Sequence, residues 1–316
     1  MTKKLVSIVI RTLNEQRYLP ELLNGIRNQQ LDSFESEVVI VDSGSTDLTL
    51  EIAKSEGCRV THICKENFTF GRSLNVGCEF AKGDFLVFIS GHCIPASEYW
   101  LQNLVTPLSI CQADYSYGRQ VARDTTKFSE NELFNKFYPS YSKLPQDGYF
   151  CNNANAAVTR SAWIKHKFNE ELTGLEDMFL ARQLVEGGGA IAYVADAPVF
   201  HIHDEGWRQV CIRYEREAYA LQKIMPGIHF NFTDFLKFYF AGVLQDFGAA
   251  IKEGRLTYEF SSIILFRLMQ YWGTYRGHQE HRKASQEMKY RYFYPKDIER
   301  EEYEKESGRI ASNESK

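Results

Sequence analysis

Nowhere does the 316-residue chain carry an uninterrupted apolar run of the roughly 18 residues that a membrane-spanning helix needs. The apolar run at the amino end, in "MTKKLVSIVIRTLNE", stops at Arg11 after six residues, too short for a signal-peptide core and without a small-residue cleavage site. There is little charge of one sign: the formal balance is −4, so no basic field exists to hold nucleic acid, and that class of partner is excluded. The seven cysteines are odd in number and lack CxxC spacing, which excludes a thiolate zinc site and fits reduced thiols in the cytoplasm. GxGxxG and Walker phosphate loops are also missing, which disfavours a dinucleotide fold and a P-loop enzyme.

What is present is ordinary globular material. The chain is 44% hydrophobic and 25% charged, enough to bury a full core in one large domain with an appendage or in two domains. "LVSIVIRT", "EVVIVDSGSTD", "CRVTHIC" and "DFLVFIS" read as buried strands, each ending in a polar turn. Between them, "EQRYLPELLNGIRNQQ" places Leu19, Leu22, Leu23 and Ile26 on one helical face. Asp47 is placed to cap the helix "LTLEIAKSEG", and "GRSLNVGCEFAKG" is a further helix. This alternation predicts an α/β domain with a mainly parallel sheet, whose ligands sit beyond the C-terminal strand ends. Three polar strand ends therefore converge: Arg11 to Glu15, Asp42 to Asp47, and Ser90 to Cys93.

Residues 113 to 160 read as less regular, with "GYFCNNANAAVTRSAW" a strand bearing the amides Asn152, Asn153 and Asn155. "GLEDMFLARQLVEGGG" is a helix that opens on two acids and stops at three glycines. "AIAYVADAPVFHIHDE" is a late strand carrying His201 and His203. Beyond residue 206 come three helical segments rich in aromatic, Arg and Lys residues, and then a charged tail from Lys296 that composition predicts to be disordered. The expected boundaries are 1–205, 206–295 and 296–316.

Each chemistry-bearing feature has two readings. Asp42 is either an acceptor for a nucleobase or ribose, or a turn-forming aspartate. Glu176 and Asp177 either complement the helix dipole or supply a general base, and adjacent acids on a helix point in different directions, so one is expected to face the site. His201 and His203, two apart on a strand, share a face; with His92 they form either a divalent-metal set or a hydrogen-bonded strand end. Arg72 is a phosphate-binding fork or a solvated arginine. The aromatic helices are either core or a membrane-interface surface.

Taken in order, "SIVIRTLNE", "VVIVDSGSTD", "GRSLNVGCEFAKGDFLVFIS" and "GLEDMF" resemble the family-2 glycosyltransferases of GT-A fold, over roughly residues 5 to 205. "YGRQ" and "FHIHDEGWRQVCIRYERE" resemble its bacterial rhamnosyltransferase-like branch. The resemblance implies a Rossmann-like mixed sheet flanked by helices, with a helical C-terminal extension. It also implies inverting transfer from a nucleotide-diphosphate sugar, dTDP-rhamnose or a UDP-hexose, to a hydroxyl of a surface-glycan acceptor, free or lipid-linked, at the inner membrane face. By resemblance Arg11, Thr12, Asn14, Glu15, Asp42, Ser43, Arg72, Ser90, Gly91 and His92 contact the donor, and Asn152, Asn153 and Asn155 the acceptor. Asp177, beside Glu176, is then the base.

The chain departs from the family where an Asp-x-Asp would hold Mg²⁺ or Mn²⁺, since Ser90-Gly91-His92 stands there instead. Two expectations follow. Either His92 joins His201 or His203 around a softer ion, or no cation is used and His92 with Arg72 neutralises the leaving diphosphate. Loss of the acidic motif also leaves open a catalytically inactive binding scaffold in a polysaccharide assembly complex. A hydrolase using the two acids is a third reading, disfavoured because adjacent carboxyls do not span a glycosidic bond.

Overall fold

The structure, a computed structural model, describes residues 3–280 and 284–297. Its contacts divide the chain into two compact units, one ending at Asp204 and the other beginning at Glu205.

The first unit is built on β1 (Lys4–Thr12), α1 (Leu19–Arg27), β2 (Phe34–Asp42), α2 (Thr49–Ser55), β3 (Arg59–His62), α3 (Phe70–Phe80) and β4 (Phe85–Ser90). Then come β5 (Cys93–Pro95), α4 (Trp100–Ser109), β6 (Tyr115–Val121), α5 (Phe128–Phe137), β7 (Asn155–Thr159), α6 (Arg160–His166), α7 (Glu176–Glu186) and β8 (Ile191–His201). The strands form one sheet in the order β3-β2-β1-β4-β7-β6-β8-β5. The first four strands in that order pair parallel. The sheet turns antiparallel where β7 enters beside β4, and again where β5 pairs with β8, so it is mixed.

Alternation along the strands explains the layers. Val6, Ile8 and Ile10 of β1 pack with Val87 and Ile89 of β4 against Leu19, Leu22 and Leu23 of α1 and Trp100, Leu101 and Leu104 of α4. Val9, Val41, Leu86 and Phe88 face the other way, onto Leu74 of α3, Trp163 of α6 and Leu180 and Leu184 of α7. A strand buried on both faces can be apolar at every position, hence the unbroken runs in the sequence. Arg160 joins these layers, its guanidinium donating to the carbonyls of Cys78, Ala81 and Gly83 at the end of α3.

The region expected to be irregular is ordered. β6, α5 and β7 occupy it, and the proposed strand "GYFCNNANAAVTRSAW" is a strand only over Asn155–Thr159, with α6 starting at Arg160. Residues 149 to 154 are instead a loop whose amides and carbonyls serve the site described below.

The second unit holds α8 (Trp207–Ile224), α9 (Phe232–Lys252), α10 (Leu256–Gln279) and α11 (Gln286–Phe293). Buried Glu215 of α8 receives Arg276 at 3.4 Å, Arg291, and the Tyr292 hydroxyl at 3.2 Å. Asp246 of α9 and Arg267 of α10 form a two-pronged buried ion pair, at 2.7 and 2.6 Å. No helix among the described residues is long and apolar enough to cross a membrane. Of the tail expected to be disordered, everything from residue 298 lies outside the described residues.

Candidate active site

The C-terminal ends of β1, β2 and β4 meet at one edge, as parallel pairing requires: Thr12 stands opposite Asp42, and Arg11 opposite Ser90. Asp42 is almost fully buried and spends its acceptors locally. Its Oδ2 takes the N–H of Gly44 and Ser45, and its Oδ1 takes the hydroxyls of Thr12 and Ser45. Gly44, at φ +100°, supplies the left-handed turn that aims those amides back at the carboxylate. Asp42 therefore organises the turn.

Around that turn the sequence-predicted residues interlock. Ser43 is buried and donates to the Thr12 carbonyl. Asn14, at φ +56°, accepts from Thr46 N–H and donates its own N–H to the Ser45 hydroxyl. Asp47 accepts from the Thr49 N–H and hydroxyl one residue before the N-cap, Leu48, a turn contact in place of the side-chain cap expected of it. Glu15 donates its N–H to Thr49 and turns its carboxylate to His92 Nδ1 at 3.2 Å. Gly91 sits between them. A Cβ there would lie 2.9 Å from Glu15 Cγ and 3.3 Å from the Arg11 carbonyl, so any side chain at this position would push the Glu15 side chain aside.

A second group lies at the start of α7. Leu175, in the left-handed region at φ 56°, turns the chain so that Glu176 and Asp177 open the helix. Both acids are buried. Glu176 pairs with Arg11 of β1 at 3.4 Å, while the Arg11 guanidinium also covers the Phe70 ring. Asp177 accepts the N–H of Asn153 at 2.8 Å and of Met178 at 2.8 Å. Burial, and then the adjoining Glu176 carboxylate, push its pKa up to about 7 against the opposing pull of those N–H groups and Arg11.

The amide cluster divides by depth. Asn155 is completely buried, accepting from Trp100 Nε1 at 2.8 Å and donating to the Arg119 and Ala197 carbonyls. Its polar atoms are all spent inside the protein, so the expected contact with an acceptor sugar is corrected to a structural role. Asn153 accepts from the Tyr115 hydroxyl at 2.6 Å while its backbone serves Asp177. Asn152, the least buried, accepts from the Ala154 N–H. Arg72 is likewise engaged, its Nε on Glu170 at 2.8 Å and its Nη1 on the Asn67 carbonyl, so its charge is matched before any phosphate arrives.

The histidines do come together. β5 pairs antiparallel with β8, setting Cys93 opposite His201, and the His92 carbonyl accepts the Ile202 N–H. One side-chain ligand atom from each of His92, His201 and His203 lies within 4.8 Å of the others. Ser90-Gly91-His92 itself brings no carboxylate, and Glu15 is the acid at hand. These residues do not fit a hard cation held by an acidic pair. Sequence reasoning missed the two groups that hold the ring nitrogens of His201 and His203, Gln120 and Glu130. Nothing in "YGRQ" or "SENELF" marks them, because their role is created by the sheet crossing and by α5.

The same organisation recurs in known proteins. The sequence pattern described as "Glycosyl transferase family 2" matches residues 7–172, a little over half of the chain. The O-antigen chain rhamnosyltransferase RfbN of Salmonella typhimurium is 27% identical over 66% of this chain and 70% of its own length. The O-antigen chain rhamnosyltransferase WbaN of Salmonella anatum is 28% identical over 57% of this chain and 60% of its own length. Among solved structures, the mannosyltransferase PcManGT of Pyrobaculum calidifontis, in complex with GDP-Man and Mn²⁺, has a TM-score of 0.58 at 17% identity. That match covers 93% of this chain and 88% of the other. S. aureus TarS 1-349 in complex with UDP-GlcNAc reaches 0.52 at 16% identity, over 89% and 93%. Likeness at such identities establishes the fold, of GT-A type, and the sequence match supplies the rest: the chain belongs to glycosyl transferase family 2 and is a glycosyltransferase.

Proposed function

We propose that the protein is an inverting transferase that moves a sugar, L-rhamnose from dTDP-rhamnose in the first instance and a UDP-hexose in the second, onto a hydroxyl of a bacterial surface glycan. Asp177 takes the proton of the acceptor hydroxyl as its oxygen attacks the anomeric carbon from the face opposite the diphosphate. The bond between that carbon and the diphosphate oxygen breaks, and the nucleoside diphosphate leaves with the electron pair.

The observation that carries this reading is the state of Asp177, a buried carboxylate at a helix start whose pKa is pushed to about 7. A base poised near the working pH is ionised in about half of the molecules and still able to hold the proton it takes. Glu176 is the weaker choice because Arg11 already pairs with it. The names of the curated relatives support rhamnose as the sugar and an O-antigen-like glycan as the acceptor. Arg11, Ser90, Gly91 and His92 at the ends of β1 and β4 are assigned to the diphosphate side, and the Asn14 and Ser43 turn to the nucleoside. Asn152 is assigned to the acceptor side. An inactive scaffold has no comparable support, since nothing in its task calls for a buried acid pair.

The test is transfer from dTDP-rhamnose, with UDP-hexoses alongside, to lipid-linked surface-glycan acceptors. The expected product has the anomeric configuration opposite to that of the donor. Asp177→Asn is expected to lower kcat by about 10²- to 10⁴-fold while leaving nucleotide affinity within a few fold. Turnover that survives in this variant removes Asp177 from the mechanism.

A further inference from the structure

The transfer step gives no task to His201 or His203, and their surroundings share one pattern with those of His92. His92 Nδ1 faces Glu15 Oε1 at 3.2 Å, His201 Nδ1 faces Gln120 Oε1 at 2.7 Å, and His203 Nδ1 faces Glu130 Oε1 at 2.5 Å. In the tautomer that donates from Nδ1 to such an oxygen, the imidazole lone pair sits on Nε2. This is the arrangement in which a ligating histidine is oriented and made more basic by a second group behind it. Three imidazoles prepared in the same way, from three separate partners on β1's end, β6 and α5, are not what simple ring packing requires.

The spacing agrees. The three ligand atoms lie within 4.8 Å of one another, and a tetrahedral ion with bonds of about 2.0–2.1 Å needs its ligands roughly 3.4 Å apart, within reach of small ring rotations. The three rings already lie together: those of His92 and His201 stack with centroids 5.3 Å apart, and His203 stands edge-on 4.0 Å from His201. Glu130, whose side chain is only 2% exposed, and Glu15 add two carboxylates around the set, a charge that a dication offsets. His92 keeps about a third of its side chain exposed, so the cluster is open on one side.

We propose that His92, His201 and His203 form a three-nitrogen site for a divalent ion that favours imidazole, of the Zn²⁺ and Co²⁺ kind, in place of an oxygen-ligated Mg²⁺ site. Three protein ligands leave a fourth position for an outside oxygen. In so far as that oxygen belongs to the donor's diphosphate, the inference rests on the functional reading above. The ion site itself does not.

The experiment is titration of the untagged, chelator-stripped full chain with Co²⁺ in the absence of nucleotide. One Co²⁺ per chain is expected, with the visible absorption of a low-coordinate ion. Equimolar Zn²⁺ displaces it, and a large excess of Mg²⁺ leaves it unchanged. His201→Gln or His203→Gln abolishes the band, and Glu130→Gln weakens binding by about 10- to 100-fold. Should either buried variant misfold by circular dichroism, His92→Gln at the open side gives the same reading. No saturable Co²⁺, or a band that persists in folded His92→Gln, overturns the proposal. Nucleotide binding measured in chelator keeps the two claims apart. A chain that binds nucleotide in chelator yet takes up no saturable Co²⁺ sinks the triad alone, and one that takes up Co²⁺ yet binds none of the nucleotides sinks the donor reading alone.

Discussion

Asp177 is a costly residue for the folded chain. Its pKa stands near 7 in the folded state against about 3.9 in an unfolded one, so between those values the folded protein binds more protons. Stability on account of this group is therefore full below about pH 4 and is lost as pH rises to about 7. Replacing it by Asn removes the charge whose burial causes that loss. Urea unfolding at several pH values should find Asp177→Asn gaining on the parent from about pH 4 to pH 7 and levelling off above that; a constant difference would show that the carboxylate is not held as described. At this scale the sequence was legible in "GLEDMF", where two acids do open a helix, and misleading where one residue type serves two purposes. Asn152, Asn153 and Asn155 look alike in a row of letters. Only the pairing of Ile89 with Asn155 sends Asn155 into the core to hold Trp100 and β8, and leaves Asn152 nearer the surface.

Among the elements, strands were the easiest to read, because β1, β2 and β4 are buried on both faces and so are apolar without a break. α5 was hidden by its own aromatic residues and by Pro139, yet that proline marks its end: the helix stops at Phe137, since the residue before a proline avoids helical geometry. The joining of β6, β7 and β8 was out of reach, because an antiparallel insertion into a parallel sheet is settled by contacts distant in sequence. The second unit offers a cleaner energetic case. Asp246 and Arg267 are 0% and 4% exposed and satisfy one another. Asp246→Ala strands a buried guanidinium and should cost about 3–5 kcal/mol in chemical unfolding, whereas Asp246→Leu with Arg267→Met should recover most of it. Equal losses in the single and double variants would mean that packing, not charge, sets the cost.

For the molecule as a whole, the aromatic helices have a surface to explain. Phe232, Leu236, Phe240 and Leu244 follow one another at four-residue steps along α9 and are all exposed, the last two at 58% and 69%. If the acceptor is lipid-linked, this stripe is the part of the chain suited to the membrane interface. Phe240→Ser with Leu244→Ser should then reduce co-sedimentation with lipid vesicles several-fold, and unchanged co-sedimentation would assign the stripe elsewhere. The claim on which the rest depends is that a buried aspartate at the start of α7 is the base in glycosyl transfer. Its most direct measurement is the pH dependence of kcat with saturating donor and acceptor. The account predicts a rate that rises with pH to a plateau, with a midpoint near 7, and that collapses at every pH in Asp177→Asn. A flat profile from about pH 5.5 to pH 8.5, or an Asn variant that turns over like the parent, would contradict it.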